Sequence, residues 1–352
     1  MNNLNKSVIT SSLCAIALLL VFSALTSFCD YTIFDHIYYT EYYSNLQNLD
    51  NFSDNVVAQA VHLGSSDVIF ALWAKICSLI GLTYRDFHLS LVIFYVLTLY
   101  SAVCLFTKKP FLSFFIIVFN YYAIGLSTSA LRLVLSIAFF CIGLVIDKRI
   151  SGIPRRFRFL QSNLLAYFSY LLSFLSHQQM FPVIIIFLIV YHSDLFLKFS
   201  SIFKLKKSSI LLLTILLVPS FLLAGYTLSG HAFNKYMYSE NFLFKVSSVL
   251  SVFNSPNGLV ILLLIFPAVL FLSKILMLLL TPRQAWFVSF TLLLSTLYID
   301  RLIFIPLCSV LLFTSSSKQA LPKIVFLLLV FYQFFKLVST LPLFVSTGFF
   351  YN

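Results

Sequence analysis

A few side chains that carry or can gain positive charge lie at the borders of apolar runs or inside them, and they are best placed to do chemistry. They are Arg132, His177, Arg301 and Lys336. A charge in hydrocarbon is costly, so such groups usually face the protein interior and mark a functional site. Arginine keeps its charge in a low dielectric, and its planar guanidinium matches phosphate oxygens. Two converging arginines, Arg132 and Arg301, therefore favour a phosphate or pyrophosphate ligand.

Each of these residues is also compatible with a purely structural role. Arg301 can form an interfacial ion pair with its acidic neighbour, Arg132 can be a snorkelling anchor, and Lys336 can snorkel outward. His177 can cap a helix turn, and the tyrosine-rich stretch 38–43 can belong to an aromatic belt at the membrane surface. The chemical hypothesis therefore depends on whether the fold brings these side chains together.

The composition indicates what kind of secondary structure holds these residues in place. Hydrophobic residues make up 61% of the 352 residues, charged residues only 10%, and the mean hydropathy is +1.00. A soluble domain carries about a quarter charged residues, so this chain is not one. The sequence predicts an all-α, polytopic integral membrane protein that forms a single domain over 1–352. The net charge of +12 does not indicate a nucleic-acid partner, because the basic residues cluster between apolar runs.

Apolar runs long enough to cross a bilayer predict about 11 transmembrane helices. The predicted spans are 8–28, 87–106, 110–124, 128–146, 160–176, 180–197, 209–226, 258–279, 285–299, 302–317 and 322–345. A crossing at 66–82 would invert every downstream loop, so that segment is predicted to be a re-entrant or interfacial helix. Asp67 and Lys75 suit such a position, because charge costs less near the membrane surface. A turn is predicted at 177–182, between two spans.

The distribution of charge predicts the orientation. Lysine and arginine collect in three clusters, at 108–109, 148–158 and 198–207. These clusters are predicted to be cytoplasmic, and the loops 29–65 and 227–257 to be external. Residues 30–67 contain six acidic residues and no lysine or arginine. This topology places Arg132, His177 and Arg301 at the same external level as the acidic segment.

Four short motifs follow one another along the chain. They are Asp35 with Tyr39 and Tyr43 four and eight residues later, Asp67 three residues before Phe70, Arg132 in Ala130-Leu131-Arg132, and His177 at the end of an apolar run. In this order they resemble the EpsG-like family of bacterial polysaccharide polymerases, which are relatives of the Wzy-type O-antigen polymerases. The resemblance covers about residues 30–190, with a weaker similarity near 301. Val68 and Leu133 depart from it, because the family more often has proline and glutamine there.

The resemblance implies a glycosyltransferase in the bacterial inner (cytoplasmic) membrane. It would join undecaprenyl-pyrophosphate-linked repeat units into a surface polysaccharide, which is O antigen of lipopolysaccharide, capsule or exopolysaccharide. Membrane lipid, a chain-length regulator and a flippase are the expected partners.

The resemblance also implies roles for individual residues. Asp35 or Asp67 would be the general base, with His177 as an alternative base or a third phosphate contact. Arg132 and Arg301 would bind the pyrophosphate, and Arg132 is expected to be the more important of the two because it has no adjacent acid to share its charge. Tyr39 and Tyr43 would stack on sugar rings.

No cofactor and no metal are expected. The six cysteines contain no CxxC pair, so the sequence indicates neither a disulfide framework nor a metal site. The predicted enzyme is therefore metal-independent.

Two other functions remain open at this point. A flippase or transporter of lipid-linked oligosaccharide would also have many helices and a few buried charges, although no internal duplication is visible in the sequence. A membrane glycosyltransferase that adds one sugar from a polyprenyl-phosphate donor would use the same chemistry.

Overall fold

A computed structural model shows an all-helical protein. It describes residues 2–32, 35–46, 51–63, 67–151, 160–192, 269–297, 304–315, 317 and 319–347. The chain forms two compact units, of which the first combines Met1–Phe181 with Lys323–Asn352 and the second comprises Pro182–Pro322. The residues that form the candidate site lie in the first unit.

The helices are numbered in chain order. They are α1 (Asn2–Ser27), α2 (Asp35–Asn45), α3 (Phe52–Leu63), α4 (Val68–Leu79), α5 (Tyr84–Thr107), α6 (Pro110–Val118), α7 (Tyr121–Ser129), α8 (Leu131–Ser151), α9 (Leu160–Ser176), α10 (Phe181–His192), α11 (Pro282–Leu297), α12 (Phe304–Ser315) and α13 (Ala320–Thr347). A short 3-10 turn, Gln178–Met180, separates α9 from α10. This turn confirms the break predicted at 177–182.

Several long apolar helices indicate a multi-pass membrane protein. Among the described residues, three helical segments are long and apolar enough to cross a membrane, namely Ser7–Ser27, Tyr84–Thr107 and Ala320–Pro342. The number rises to five if each of two bent helix pairs is counted as one span. The larger number of spans predicted from the sequence stays a prediction. The span at 209–226, most of that at 258–279 and the loop 227–257 lie outside the described residues.

The span predicted at 110–124 corresponds to a pair of helices, α6 and α7, whose axes are bent by 62° at the break between them. The pair is either one broken span or a re-entrant element, so a crossing at this place stays a prediction. The side chain of Asn120 accepts a hydrogen bond from the backbone N–H of Ala123 at 3.0 Å, which caps α7 and starts a new helix. An asparagine side chain stabilises a helix start better than a helix interior, which explains the break.

The predicted external loop 29–65 contains two helices, α2 and α3. The segment predicted as re-entrant or interfacial forms α4, which is bent by 109° relative to α3. That pair is either a broken span or a re-entrant element, so a helix at this place is confirmed and its depth in the membrane stays a prediction. The break leaves Asp67 at the start of α4.

Helix α8 is the centre of the first unit, with α5 and α9 packed against it. Small residues permit a close approach of α8 and α9, because a methyl group added at Gly143 would overlap the ring of Tyr170. Helix α5 is capped at its start, where Thr83 and Asp86 form a reciprocal capping box. It therefore begins at Tyr84, three residues before the predicted start. The start of α8 and the end of α9 carry Arg132 and His177 of the candidate site.

Candidate functional site

Asp67 is the centre of the candidate site. It occupies the N-cap position of α4, yet its side chain makes no capping hydrogen bond to that helix. Its Oδ2 atom instead lies 3.1 Å from Nη1 of Arg132 on α8 and 3.3 Å from Nδ1 of His177 at the end of α9. Three residues selected from separate parts of the sequence thus meet at one carboxylate oxygen.

The three side chains differ in their access to solvent. The Asp67 side chain is fully buried at 0% exposure, whereas the side chains of Arg132 and His177 are 19% and 11% exposed. Because an isolated buried carboxylate would be very unfavourable, the guanidinium of Arg132 stabilises its ionised form. The carboxylate is therefore enclosed, and the cation and the imidazole each keep an edge that a ligand can reach.

The hydrogen bonds of His177 define how its ring can act. An ionised carboxylate only accepts hydrogen bonds, so Nδ1 carries a proton and donates it to Asp67. The other ring nitrogen, Nε2, lies 2.9 Å from Oε1 of Gln179. Because Oε1 faces Nε2, the Gln179 amide must turn and present its NH2 group if Nε2 is to carry the lone pair of a neutral ring. A substrate hydroxyl that replaced the Gln179 side chain could then donate its proton to Nε2 of His177.

Tyr39 supports Arg132 from α2. Its hydroxyl accepts a hydrogen bond from Nε of Arg132 at 3.2 Å, and the guanidinium carbon lies 6.0 Å from the centre of the tyrosine ring. This contact and the one to Asp67 fix the guanidinium at two nitrogens. Tyr39 is buried, so its predicted stacking on a sugar ring stays a prediction.

Tyr43 lies one turn further along α2, in the hydrophobic core rather than among the contacts of Asp67. Its hydroxyl donates to the backbone oxygen of Leu82 at 2.9 Å, and its ring stacks on Phe87 at 4.9 Å. Tyr43 also borders an open cavity of about 240 Å³. The cavity is lined by Thr40, Tyr43, Ser44, Leu82, Thr83 and Tyr84. The predicted contact with a sugar therefore stays a prediction for Tyr43 as well.

Asp35 and Arg301 complete the predicted set. Asp35 begins α2, is partly buried and interacts electrostatically with Arg132. Arg301 lies outside the described residues, so the predicted convergence of two arginines stays a prediction. Arg132 has no acidic neighbour in the sequence, but in the fold Asp67 pairs with it and shares its charge. The two residues are distant in sequence, and only the fold brings them together.

Lys336 turns toward the protein interior. Its Nζ donates to the hydroxyl of Tyr122 at 3.0 Å and lies 4.5 Å and 4.6 Å from the ring centres of Tyr121 and Tyr122. Aromatic faces stabilise a cation in a poorly solvated place. The two tyrosines are adjacent in the sequence, at the start of α7. Their spacing alone does not predict that they contact Lys336 on α13.

One group of side chains could hold a metal ion in the part of the chain that the structure describes. It consists of Cys29, His36 and His88, all buried, with potential ligand atoms within 4.8 Å of one another. Both histidines are fully buried, each at 0% exposure.

Comparison with protein-family models, with curated proteins and with solved structures gives no match for this chain. The functional assignment therefore depends on the motifs and on the geometry of Asp67, Arg132 and His177.

Proposed function

We propose that this protein is a polymerase of lipid-linked oligosaccharides. It transfers a growing glycan from undecaprenyl pyrophosphate to a sugar hydroxyl of the next lipid-linked repeat unit. The reaction takes place at the outer face of the bacterial inner membrane and yields a surface polysaccharide, namely O antigen, capsule or exopolysaccharide. A flippase would supply the repeat units and a chain-length regulator would act on the product.

The meeting of Asp67, Arg132 and His177 carries this proposal. The transfer needs a base for the attacking hydroxyl and positive charge beside the departing pyrophosphate. The cluster offers an imidazole and a guanidinium that contact the same oxygen of one buried carboxylate. The same residues were selected from the sequence by their order and by their similarity to the EpsG-like motifs.

His177 is the general base in this proposal. As the acceptor oxygen forms a bond to the anomeric carbon, its proton passes to Nε2 of His177, and the bond from that carbon to the pyrophosphate oxygen breaks. Asp67 holds the imidazole through Nδ1 and stabilises the imidazolium that forms. Asp67 itself is a poor base, because the guanidinium of Arg132 favours its ionised form. The undecaprenyl pyrophosphate leaves as the anion.

The charge on the leaving group is shared among several cations in this proposal. Part of the charge of Arg132 is neutralised by Asp67, so Arg132 alone is not enough for a pyrophosphate. The protonated ring of His177 adds a positive charge as the bond breaks. Arg301 is proposed as the further phosphate contact, and no metal is required by this scheme.

The second candidate is a flippase or transporter of the same lipid-linked substrate. The observation in its favour is the pair of bent helix elements, α3 with α4 and α6 with α7. Broken helices are common at the substrate sites of transporters, and buried charges often serve proton coupling there. A single-sugar glycosyltransferase with a polyprenyl-phosphate donor is a third possibility, and it would use His177 and Asp67 in the same way.

Deletion of the gene, followed by electrophoresis of the surface glycan, separates these functions. Without a polymerase, a strain that makes O antigen should carry one repeat unit on its lipopolysaccharide core. Without a flippase, the core should carry no repeat unit, because the lipid-linked units remain on the inner side. Without a single-sugar transferase, the repeat unit itself should lack a sugar by mass spectrometry.

Complementation with point variants then tests the site. The wild-type gene and His62→Gln should both restore the polymer, because His62 pairs with Glu41 away from the cluster. His177→Gln should leave the single repeat unit although the protein is present in the membrane. Full-length polymer with His177→Gln at a matched protein level would contradict the proposed role of His177.

A further inference from the structure

A second group of side chains with ligand chemistry lies where α1, α2 and α5 come together. Cys29 follows the end of α1, His36 is the second residue of α2, and His88 lies in the second turn of α5. Each offers one ligand atom, and the three atoms lie within 4.8 Å of one another. The group is separate from the contacts made by Asp67.

The hydrogen bonds of the two histidines leave the same ring atom available for a metal. Nε2 of His36 lies 2.7 Å from the backbone oxygen of Thr128, and Nε2 of His88 lies 2.7 Å from that of Ser127. A carbonyl oxygen only accepts, so both Nε2 atoms carry the proton and both Nδ1 atoms carry a lone pair. Histidines that bind metals usually donate their other N–H to a carbonyl or carboxylate in this way.

The Nδ1 atoms contact hydroxyl groups that can rotate. Nδ1 of His36 accepts from the hydroxyl of Tyr84 at 2.6 Å, and Nδ1 of His88 from that of Tyr31 at 3.2 Å. A tyrosine hydroxyl can turn its hydrogen away and present an oxygen lone pair instead. A metal ion can thus replace these hydrogen bonds without leaving a buried donor in conflict with it.

Cys29 supplies the sulfur ligand. Its thiol makes a long hydrogen bond of 3.6 Å to the backbone oxygen of Leu25. Burial raises the pKa of the Cys29 thiol to about 12, so in the absence of a cation it is protonated at neutral pH. Burial also lowers the pKa of His36, which keeps this ring neutral and able to bind a metal.

We propose that Cys29, His36 and His88 bind a zinc ion through the cysteine sulfur and the two Nδ1 atoms. One thiolate and two imidazoles suit Zn²⁺, with a fourth position for water or for the hydroxyl of Tyr31. Bonds of about 2.0–2.3 Å place tetrahedral ligand atoms about 3.5 Å apart. The three atoms lie within 4.8 Å of one another, so binding requires them to approach by at most about 1.3 Å. Zn²⁺ takes the place of the thiol proton, which passes to solvent.

The zinc ion would join the end of α1 to the starts of α2 and α5, and of these helices α2 carries Tyr39 of the candidate site. His36 and Tyr39 are one turn apart on α2, and the hydroxyl of Tyr39 accepts from Arg132. The carbonyl partners, Ser127 and Thr128, lie at the end of α7, directly before α8. This role is positional, and it is independent of the transfer reaction proposed above.

Cobalt titration of the full-length protein in detergent tests the site, because Co²⁺ occupies zinc sites and a thiolate ligand gives it a near-ultraviolet absorption band. The metal-depleted wild type should bind one Co²⁺ per chain with that band, and Zn²⁺ should displace it. Cys29→Ser should lose the band and bind at least tenfold more weakly. The matched control is Cys77→Ser, another buried cysteine, which should bind like the wild type.

Substitution of the two histidines and the release of a proton on metal binding provide two further, independent tests. His36→Gln and His88→Gln should each weaken Co²⁺ binding at least tenfold, while His62→Gln should not. Binding should release about one proton per ion at neutral pH, and affinity should rise with pH, because the thiol must lose its proton. A wild-type protein without a thiolate band at saturating Co²⁺, or Cys29→Ser with unchanged affinity, overturns the proposal. The wild-type spectrum decides the question even if a variant does not fold.

Discussion

The carboxylate of Asp67 and the guanidinium of Arg132 form an ion pair at 3.1 Å between residues that are 65 positions apart in the sequence. The Asp67 side chain is fully buried in this pair. Buried ion pairs contribute little to stability compared with apolar residues of similar size, because both ions lose their hydration. An ion pair in such a place is therefore better explained by a function than by folding.

A double-mutant cycle on this pair should reveal unequal costs. Arg132→Gln leaves the fully buried Asp67 without its cation, which should destabilise the protein by about 3–5 kcal/mol. Asp67→Asn should cost less, since the Arg132 side chain is 19% exposed and can turn to solvent. The double variant should be more stable than Arg132→Gln alone.

The measurement for this cycle is denaturant unfolding in detergent, with Glu41→Gln as the control. Glu41 pairs with His62 at an exposed position, so its loss should change stability by less than about 1 kcal/mol. Strictly additive costs for Asp67 and Arg132 would show that the pair does not couple.

The geometry of Arg132 matters in addition to its charge. Lysine cannot donate to Asp67 and Tyr39 through two rigidly linked nitrogens, so Arg132→Lys should insert normally yet shorten or abolish the polymer. Loss of a charge-assisted contact costs about 1.5–3 kcal/mol, or about one to two orders of magnitude in rate. Tyr39→Phe removes only the hydroxyl that accepts from Nε and should have a smaller effect. Gel ladders at matched protein levels compare the variants, and normal ladders from Arg132→Lys would favour an anchoring role.

The identity of the base can be tested at three positions. His177→Gln should abolish polymerisation, and Asp67→Asn should reduce it strongly, because a neutral amide stabilises the imidazolium less than a carboxylate and can select the wrong tautomer of the ring. Asp35→Asn should retain most of the activity, since the Asp35 carboxylate acts on Arg132 through electrostatics. Polymer yield per unit of membrane protein measures all three. Loss of polymer in Asp35→Asn alone would instead assign the base to Asp35.

The sequence predicted the long helices better than their breaks. The uninterrupted apolar run at 87–106 predicted α5, because such a run has few alternatives in a membrane protein. The break at Asn120 was missed, since a single asparagine in an apolar run fits either a helix interior or a cap. Its hydrogen bond to Ala123 decides between them, and that bond depends on the local backbone.

The members of the candidate site were predictable, and their contacts were not. Arg132 and His177 stand out as charged or titratable groups beside apolar runs, and Asp67 was selected through its motif. Their meeting at one oxygen depends on how α4, α8 and α9 pack, which no local pattern specifies. The proximity of His36 and His88 was not predicted for the same reason. The two residues lie on different helices, and no sequence pattern relates them.

The predicted orientation can be measured with reporter fusions. A reporter that is active only outside the cytoplasm should be active when fused at Asn51, in the acidic segment between α2 and α3. The same reporter should be silent at Ser151, at the end of α8 beside the basic cluster 148–158. A reporter that is active only in the cytoplasm provides the control and should give the opposite pattern. Activity at Ser151 and silence at Asn51 would invert the arrangement.

The close packing of α8 against α9 should be sensitive to a single methyl group. A Cβ atom at Gly143 would overlap ring atoms of Tyr170, which is itself almost fully buried and packs at a tilt against the ring of Phe140. Overpacking of this kind costs about 1–3 kcal/mol, because the helices must separate or the ring must leave its preferred rotamer. Gly143→Ala should therefore lower the melting temperature in detergent.

The same change should also reach the candidate site. Separation of α8 from α9 would move Arg132 away from His177, so Gly143→Ala should reduce polymer length in addition to stability. Combining it with Tyr170→Ala makes room for the added methyl group, and the double variant should lose less stability than the two separate costs predict. Additive losses in the double variant, or an unchanged melting temperature in Gly143→Ala, would show that the two helices are not packed closely at this position.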